Sequence, residues 1–503
     1  MTELRHAELA AAEEACAREP IQHAGAIQPW GWLLVADAQS LAITHVSANI
    51  DALFAGGAAQ MLGRPLTEFI DGRLLEPWRR LADAGRELGV PQHAGRHNLG
   101  DMAPLCEVMV HGTDQHLHVE IEAVGRASHE SQLLATRVRQ SARRLAGLAD
   151  AAEFRQALMA EMRMLTGVDR VMVYRFLPDG TGEVAAESIA AGVEPWLGQR
   201  YPESDIPVQA RALYLRSLLR VIPDAGYTPV PMHAADPDAP PLDMSLDLLR
   251  SISPVHRQYL RNMGVGAAVS LSVVVEGSLW GLILLQHSTP ISIGAPAREA
   301  LELLAALLSS RVAAVMDTRR DLVQRRLAAV SAVLHARAGQ GPLSDASLVG
   351  ELVLLARLVQ SDGAAALLDS HWNDPDALLD GMDRTELAAW LASQPPDVLA
   401  SSSRADWRAS PRPDAAIAGV LAVPVAPRPG DWLLLLRRPY DEHIAWAGIP
   451  DKQVQRLDDG SVRIAPRADF AVWRELRRGG SEQWSGEDGD AAAGLQLLLA
   501  EMR

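Results

Sequence analysis

Two stretches in the middle of the chain concentrate polar side chains that could bind a charged ligand. The first runs from residue 201 to 220, and the second begins at residue 250 and continues to residue 272. Their members include two arginines, two serines, a tyrosine and a histidine, namely Arg220, Arg250, Ser270, Ser272, Tyr259 and His256. Guanidinium groups bind carboxylates through charge-assisted hydrogen bonds. Converging on one concavity, this set suits a ligand that carries separate carboxylates.

Each of these residues also has an ordinary structural interpretation. Asp205 precedes Pro207 at the start of an amphipathic helix that we expect to run to Arg220, where the aspartate would cap the helix. His256 by itself would be a partly buried side chain with a local partner, and Arg220 a surface charge. The combination, more than any single residue, indicates a binding site.

The elements that position these residues form two segments. Between about residues 20 and 125, short β-like runs alternate with loops and predict a small α/β domain. The next segment predicts an α+β domain with helices, a strand and a closing hairpin at 133–145, 152–165, 171–176 and 267–287. In that hairpin Ser270 and Ser272 share one face of a strand. His256 and Tyr259 share one face of a short helix.

An uninterrupted helix is predicted over Pro296–Arg337, because no internal glycine or proline occurs and apolar residues recur at helical spacing. It would extend roughly 60 Å and serve as a spine joining two domains, the alternative being two helices with a break. A third domain is expected from about Gly339, with two strands joined by a turn at 427–431. The stretch 440–474 lacks clear periodicity, and so long an excursion is typical of a functional segment.

The composition excludes several function classes. The chain has 503 residues, 48% of them apolar and 22% charged, as in folded soluble proteins. A net charge of −16 without a basic run argues against nucleic acid as a partner. We expect no membrane partner and a cytoplasmic location, since neither a secretory leader nor a bilayer-spanning apolar stretch is present. Two cysteines, Cys16 and Cys106, exclude a disulfide framework, and the common catalytic motifs are missing, so we expect no enzymatic activity.

Several spaced motifs, taken together, resemble the bacterial phytochromes over essentially the whole chain. The motifs similar to the family's chromophore domain are Ser204-Asp205-Ile206-Pro207, Tyr214, Arg220, Arg250, Ser253, His256, Tyr259 and the run from Arg261 to Gly266. Those similar to its attachment leader are Cys16-Ala-Arg-Glu-Pro-Ile21 and Gly25-Ala-Ile-Gln-Pro29. Those similar to the tongue of its third domain are Trp446-Ala-Gly448 and Pro466-Arg467-Ala-Asp-Phe470.

The resemblance implies an α+β fold of three domains, each a central antiparallel sheet flanked by helices, joined by the long helical spine. The implied parts are a leader at 1–20, a PAS domain at 21–128, a GAF chromophore-binding domain at 129–318, and a PHY domain at 319–503 with its tongue at about 440–475. It also implies that the leader threads through a loop of the GAF domain.

The implied cofactor is biliverdin IXα, joined by a thioether between Cys16 and its ring A side chain. Asp205 would offer its main-chain carbonyl to the pyrrole N–H groups, with His256 supporting the same network through water. One propionate is assigned to Arg220, Tyr214, Arg250 and Ser253, and the other to Ser270, Ser272 and His256. The ring D pocket is assigned to Tyr174, Trp196, Tyr201 and Tyr259, and Ile206 and Pro207 complete the motif.

Three departures from the family pattern affect the colour and lifetime of the photoproduct. Trp196 and Tyr201 replace phenylalanines near ring D, and Gln286 replaces a histidine that bonds the ring D carbonyl. Asp469 replaces the serine of the tongue motif.

For the tongue, whose signalling residues include Trp446 and Trp473, the resemblance implies an ion pair between Arg467 and Asp205 in the red-absorbing state. In the family's far-red-absorbing state the tongue refolds and the motif serine binds the aspartate.

The resemblance implies a red/far-red photoreceptor that couples photoisomerisation of biliverdin to an output module, a histidine kinase, absent from this chain. The implied partners are a second copy, through the GAF and spine helices, and a downstream response regulator. The alternative is a PAS/GAF sensor of another small molecule. A cysteine-nucleophile enzyme using Cys16 and His23 is a third hypothesis, disfavoured because nothing in the acidic leader would lower the thiol pKa.

Overall fold

The computed structural model describes residues 9, 11–12, 14–83, 91–99, 105–113, 115–124, 131–410, 412, 414–451, 454–456 and 462–503. They belong to two compact units. The first comprises the chain up to Arg311 together with Trp446–Trp473, and the second comprises Val312–Ala445 with Arg474–Arg503.

The first unit contains two antiparallel sheets. Its strands are β1 (Ala26–Ile27), β2 (Gly31–Asp37), β3 (Ile43–Ser47), β4 (Gln92–Asn98), β5 (Leu105–Gly112), β6 (His116–Ala123), β7 (Arg170–Phe176), β8 (Gly182–Ile189), β9 (Gln199–Tyr201), β10 (Leu219–Ile222), β11 (Val230–Ala234), β12 (Ala267–Val275) and β13 (Ser278–His287). The first sheet has the order β1-β11-β3-β2-β6-β5-β4, and the second contains the order β10-β12-β13-β7-β8-β9.

The first sheet packs one face on a hydrophobic core built from its own apolar residues and from short helices. These helices are Ile50–Ala52, Gly57–Met61, Leu66–Glu68, Gly72–Leu75 and Glu76–Asp83. Leu34, Val108 and Val119 from three neighbouring strands are fully buried in this core, as is Cys106. Alternate residues of the same strands point to the opposite face. On β5 and β6 those include His111, His118 and Glu120, which are buried polar residues.

Strand β1 lies between β11 and the residue Arg250. Ile27 pairs with Val230 of β11 on one side and forms a bridge with Arg250 on the other. Gln28 is fully buried, and its side-chain amide donates to the carbonyl of Val221 at 2.9 Å. Residues 26–28 are thus enclosed between residues about 200 positions distant in sequence.

Four further helices of the first unit lie between or beside the strands of the second sheet in sequence. They are Ser131–Ala146, Ala151–Thr166, Val208–Arg216 and Pro254–Asn262. Asp150 caps the second of these helices, and Gly167, with φ of +71°, ends it. Ser253 caps the fourth. The predicted hairpin is confirmed, with β12 and β13 paired from Ala267 to His287.

Two expectations about the first polar stretch are wrong. Helix Val208–Arg216 ends four residues before Arg220, which lies on β10, because Leu219–Ile222 pair with β12. Asp205 does not cap this helix; it ends a short 3-10 helix at Glu203–Asp205, and the capping position is Pro207.

The spine is one continuous helix, Ala295–Ala338, of 44 residues. In the second unit, strands β14 (Gly363–Leu368), β15 (His371–Asn373), β16 (Ala400–Ser402), β17 (Gly419–Pro424) and β18 (Trp432–Arg437) form a sheet of order β15-β14-β18-β17-β16. The remaining helices are Asp345–Val349, Leu352–Ala356, Gly381–Ala392 and Gly486–Met502. Helices cover both faces of this sheet and form two hydrophobic cores.

The excursion predicted at 440–474 contains four strands. They are β19 (Tyr440–Ala447), β20 (Val454–Arg456), β21 (Val462–Ile464) and β22 (Val472–Gly480), with β20 and β21 paired to each other. None of the helices in the described ranges combines the length and apolar character needed to cross a membrane.

Candidate ligand-binding site

A large cavity of about 1220 Å³ lies in the first unit, between the second sheet, the leader and the segment 449–469. It exceeds the ~300–1,000 Å³ of typical small-molecule pockets. The predicted site residues that line it are Cys16, Tyr174, Tyr201, Asp205, Ile206, Pro207, Tyr214, Arg220, Arg250, Ser253, His256, Tyr259, Ser270, Gln286, Arg467 and Asp469. Residues separated by more than 450 positions therefore meet around one space.

Two buried arginines form one side of the cavity without a carboxylate partner in the described part of the chain. Arg220 donates from Nη1 to the carbonyls of Asp247, Leu248 and Arg250 at 3.1, 2.8 and 3.2 Å, while its Nη2 has no acceptor there. Arg250 donates to the carbonyl of Ile21 at 2.7 Å, and its Nε has no acceptor among the residues that the structure describes. Unsatisfied buried donors are destabilising. Their position on the cavity wall indicates an anionic ligand.

The arginines also set the protonation of their surroundings. Burial and the charge of Arg220 lower the pKa of Arg250 to about 8. Burial, followed by the positive charges of Arg220 and Arg250, lowers the pKa of His256 to about 4, so its imidazole is neutral near neutral pH. Two cations and a neutral imidazole side by side are a favourable environment for carboxylates.

Hydroxyl groups continue this polar wall. Tyr214 on helix Val208–Arg216 donates to Ser270 at 3.5 Å, and Ser253 accepts from the Val255 amide as the cap of its helix. Ser272 has a different position, since its hydroxyl donates to the Tyr214 carbonyl at 2.7 Å and it does not line the cavity. The structure thus brings Ser270 to the ligand space and places Ser272 where it supports Tyr214.

The opposite end of the cavity is aromatic. Tyr174 and Tyr201 pack with ring centroids 5.8 Å apart, and burial raises the pKa of both hydroxyls, which keeps them protonated. Gln286, which pairs with Arg170 on β7, is a buried residue of the cavity wall, and its Oε1 lacks a hydrogen-bond donor among the described residues. Trp196 does not line the cavity; its ring stacks on the Arg170 guanidinium at 3.6 Å beside the tyrosines.

Asp205 connects the cavity to the segment 446–473. Arg467 Nη2 lies 3.3 Å from Asp205 Oδ1, and the Tyr259 hydroxyl donates to Asp205 Oδ2 at 2.9 Å. Burial raises the pKa of Asp205, and the Arg467 charge opposes that rise. Arg467 is held in place by the Ala447 carbonyl, to which it donates, and by Asn262, whose amide donates to the Arg467 carbonyl at 2.7 Å.

Asp469 lies two residues beyond this pair and is exposed, and its Oδ1 accepts from the Ala471 amide at 2.8 Å. The main-chain carbonyl oxygen of Asp469 lies so close to Gly448 that a side chain at position 448 would clash with it. Gly448 also has a φ of +83°. A glycine is therefore required there. Trp446 is buried and Trp473 exposed, and neither lines the cavity.

Cys16 lies at the cavity wall next to helix Val208–Arg216. The Gln209 side-chain amide donates to the Cys16 carbonyl, and its nitrogen is 3.9 Å from Cys16 Sγ. Cys16 is partly exposed, whereas Cys106 is buried in the first domain's core. The thiol of Cys16 can therefore reach a ligand in the cavity.

Reasoning from sequence missed three residues that position the site. Gln209 holds the leader, Gln28 bonds carbonyls next to Arg220 and Arg250, and Asn262 holds Arg467. Each acts across 190 residues or more, as Gln209 does across 193, so no local spacing could reveal it. Gln28 and Asn262 lie within the quoted family motifs, but the motifs assign no role to either.

Comparison with known proteins agrees with this geometry. Family models match residues 16–124 (PAS fold), 150–315 (GAF domain) and 327–503 (Phytochrome region). A bacteriophytochrome from Xanthomonas campestris is 33% identical, covering 97% of this chain and 78% of its own. One from Pseudomonas aeruginosa is 32% identical, covering 97% and 66%.

Solved structures give the same result for the fold. The Stigmatella aurantiaca phytochrome photosensory core module has a TM-score of 0.80 and 31% identity, covering 97% of both chains. The chain spans slightly less than two thirds, 65–66%, of several curated phytochromes. The chain belongs to the phytochrome family of photoreceptors and has the fold of its photosensory core, with PAS, GAF and PHY domains.

Proposed function

We propose that this chain binds biliverdin IXα covalently through Cys16 and couples red-light absorption to rearrangement of the tongue, defined as Trp446–Trp473. The observation that supports it best is the pair of buried arginines on the cavity wall, Arg220 and Arg250, each with a donor that no described residue satisfies. Bound biliverdin supplies light absorption and photoisomerisation, and its propionates are the carboxylates that these cations would bind.

The remaining wall residues have roles that follow from their chemistry. Arg220, Arg250, Tyr214 and Ser253 bind one propionate, and Ser270 and the neutral imidazole of His256 bind the other, with Ser272 holding Tyr214 in position. The main-chain carbonyl of Asp205 is an acceptor for the pyrrole N–H groups. Gln286 brings to the cavity a carbonyl oxygen that no described residue satisfies, and its amide can donate to a ligand carbonyl.

Signal transfer is assigned to the ion pair between Asp205 and Arg467, because it links the cavity directly to the tongue. Its two side chains are about 90% buried, so separating them would leave each charge buried without its partner. This cost allows the ion pair to act as a latch. We further propose that the intact protein passes the change through helix Ala295–Ala338 to a histidine kinase module, acts as a homodimer and signals to a response regulator. The greater length of its curated relatives supports an output module.

Covalent attachment is tested by replacing the two cysteines separately. In Cys16→Ser, the zinc-induced fluorescence of the bilin-loaded band in a denaturing gel should be lost. Cys106→Ser is the matched control and should keep it, because Cys106 is buried in the first domain's core. Fluorescence of equal strength in both variants would refute attachment at Cys16.

A further inference from the structure

A second polar cluster lies between the first sheet and the loop that precedes helix Pro254–Asn262. It comprises His111 on β5, His118 on β6 and Asp247 on the loop, with Glu120 of β6 beside them. All four side chains are at most 3% exposed. None of them lines the large cavity, and the proposed light-sensing function uses none of them.

The donor atoms of this cluster converge on one point. His111 Nε2 and His118 Nδ1 both lie 3.0 Å from Asp247 Oδ1, and the possible ligand atoms of the three residues are all within 4.8 Å of one another. The two imidazoles stack with centroids 4.7 Å apart, so both direct a ring nitrogen to the same carboxylate. Glu120 Oε1 is 3.6 Å from His111 Nε2. Around a tetrahedral zinc ion with bonds of about 2.0–2.1 Å, neighbouring donors stand roughly 3.3 Å apart.

The charges in this cluster also favour a divalent cation. Two carboxylates fully removed from water are destabilising unless they are paired or coordinate a metal. Arg220 lies near both carboxylates, and a divalent ion adds the further positive charge while both imidazoles remain neutral, the form in which histidine binds metals. Imidazole and carboxylate together suit Zn²⁺ better than Ca²⁺ or Mg²⁺, which prefer oxygen ligands alone.

The surroundings hold the proposed ligands in place. Glu120 Oε2 accepts from the Leu249 amide at 2.7 Å, which leaves Oε1 directed to the cluster. The main-chain carbonyl of Asp247 accepts from Arg220 at 3.1 Å. Such outer contacts orient metal ligands. An ion here would connect the first sheet to the loop whose carbonyls position Arg220.

We propose that His111, His118 and Asp247 bind one Zn²⁺ ion, with Glu120 as the nearest further carboxylate, 3.6 Å from His111. This structural site ties the first sheet to the loop 235–253 and is independent of bilin binding. The competing interpretation is a metal-free cluster in which an imidazolium pairs with Asp247.

Zinc content tests the proposal directly. The full chain, prepared without bilin so that zinc bound by the tetrapyrrole is not counted, is stripped with a chelator, incubated with Zn²⁺, passed through gel filtration and analysed by mass spectrometry for zinc. We expect one ion per chain in the wild type and a loss of at least tenfold in affinity for His118→Gln and Asp247→Asn. His116→Gln is the matched control, since His116 neighbours His118 on β6 and is not a proposed ligand, and it should retain the ion.

Variants that fail to fold would not leave the question open, because X-ray absorption of the zinc-loaded wild type reports the ligands themselves. We expect two imidazoles and oxygen ligands at about 2.0–2.2 Å. A wild type that retains no zinc, a shell with sulfur or without imidazole scattering, or equal zinc in the folded Asp247→Asn variant would overturn the site.

Discussion

At the scale of single residues, the account depends on two buried cations that form no ion pair with a carboxylate of the described residues. Arg220 and Arg250 are each 5% exposed, and their acceptors are main-chain carbonyls only. A protein retains such groups when a ligand supplies the missing charge. The unsatisfied donors at the cavity therefore favour an acidic ligand over a neutral one.

We predict that Arg220→Ala and Arg250→Ala each weaken bilin binding by about 1.5–3 kcal/mol, the usual contribution of a hydrogen-bonded charge. Titration of the apoprotein with biliverdin, followed by visible absorption, measures the effect. Arg216→Ala is the matched control, because Arg216 is half-exposed and pairs with Asp243 outside the cavity. Wild-type affinity in both cavity variants would contradict the assignment of the propionate sites.

A second prediction concerns pH and His256. Because its pKa falls from 6.5 to about 4 on folding, the unfolded chain binds a proton first as the pH decreases. The apoprotein should therefore lose stability as the pH falls from about 6.5 towards 4, by on the order of 3 kcal/mol. His256→Gln should reduce this loss in urea unfolding measured at several pH values. An identical decline in both proteins would show that His256 is not responsible.

The types of the site residues could be predicted from the sequence, but their supports could not. Motif spacing identified Arg220, Arg250 and His256, because residue types and their order can be read directly from the sequence. Gln209 and Gln28 carry no local signal, since an amide becomes a positioning group only when a distant carbonyl meets it. Ser272 shares a strand face with Ser270, but its hydroxyl donates to the Tyr214 main-chain carbonyl and does not line the cavity.

At the scale of elements, local patterns predicted the long helix and the β12–β13 hairpin, and failed at Arg220. The helical pattern of the first polar stretch continues past Arg216, but residues 219–222 pair with β12, where Arg220 faces Ser270 in register. Pairing with a strand about 50 residues away overrides a weak local preference. The resulting turn from helix to strand brings the guanidinium into the cavity.

The tongue departs from the family sequence pattern at Asp469, which replaces the serine of the motif. By family resemblance its refolding brings position 469 to Asp205, and two carboxylates sharing a site cannot both ionise without a penalty. We predict that Asp469→Ser increases the photoproduct fraction or slows dark reversion severalfold, most strongly at high pH. Illuminated spectra and reversion rates test this, and values equal to wild type at every pH would contradict it.

The latch itself can be tested in the resting state. Arg467→Ala leaves Asp205 buried with Tyr259 as its remaining side-chain partner, and breaking a buried pair costs ~3–5 kcal/mol. We expect faster proteolysis of the tongue and a shifted resting spectrum. Arg463→Ala is the control, because Arg463 bonds only Gln455 within the tongue among the described contacts. Equal behaviour of the two variants would exclude Arg467 as a latch.

At the scale of the whole molecule, parts of the chain that are distant in sequence contribute residues to one cavity. The GAF domain contributes most of the cavity wall, Cys16 contributes a thiol, and the segment 446–473 contributes Arg467, which pairs with Asp205. The continuous helix Ala295–Ala338 joins the GAF and PHY regions of the chain.

The central claim is that this chain is a covalent, reversible bilin photoreceptor, and one absorption experiment tests it most directly. The full chain is assembled with biliverdin IXα, and spectra are recorded in the dark, after red light and after far-red light. We predict a red band that red light depletes while a longer-wavelength band grows, with far-red light restoring the first. The absence of a visible band, or a band that light leaves unchanged, would contradict the account.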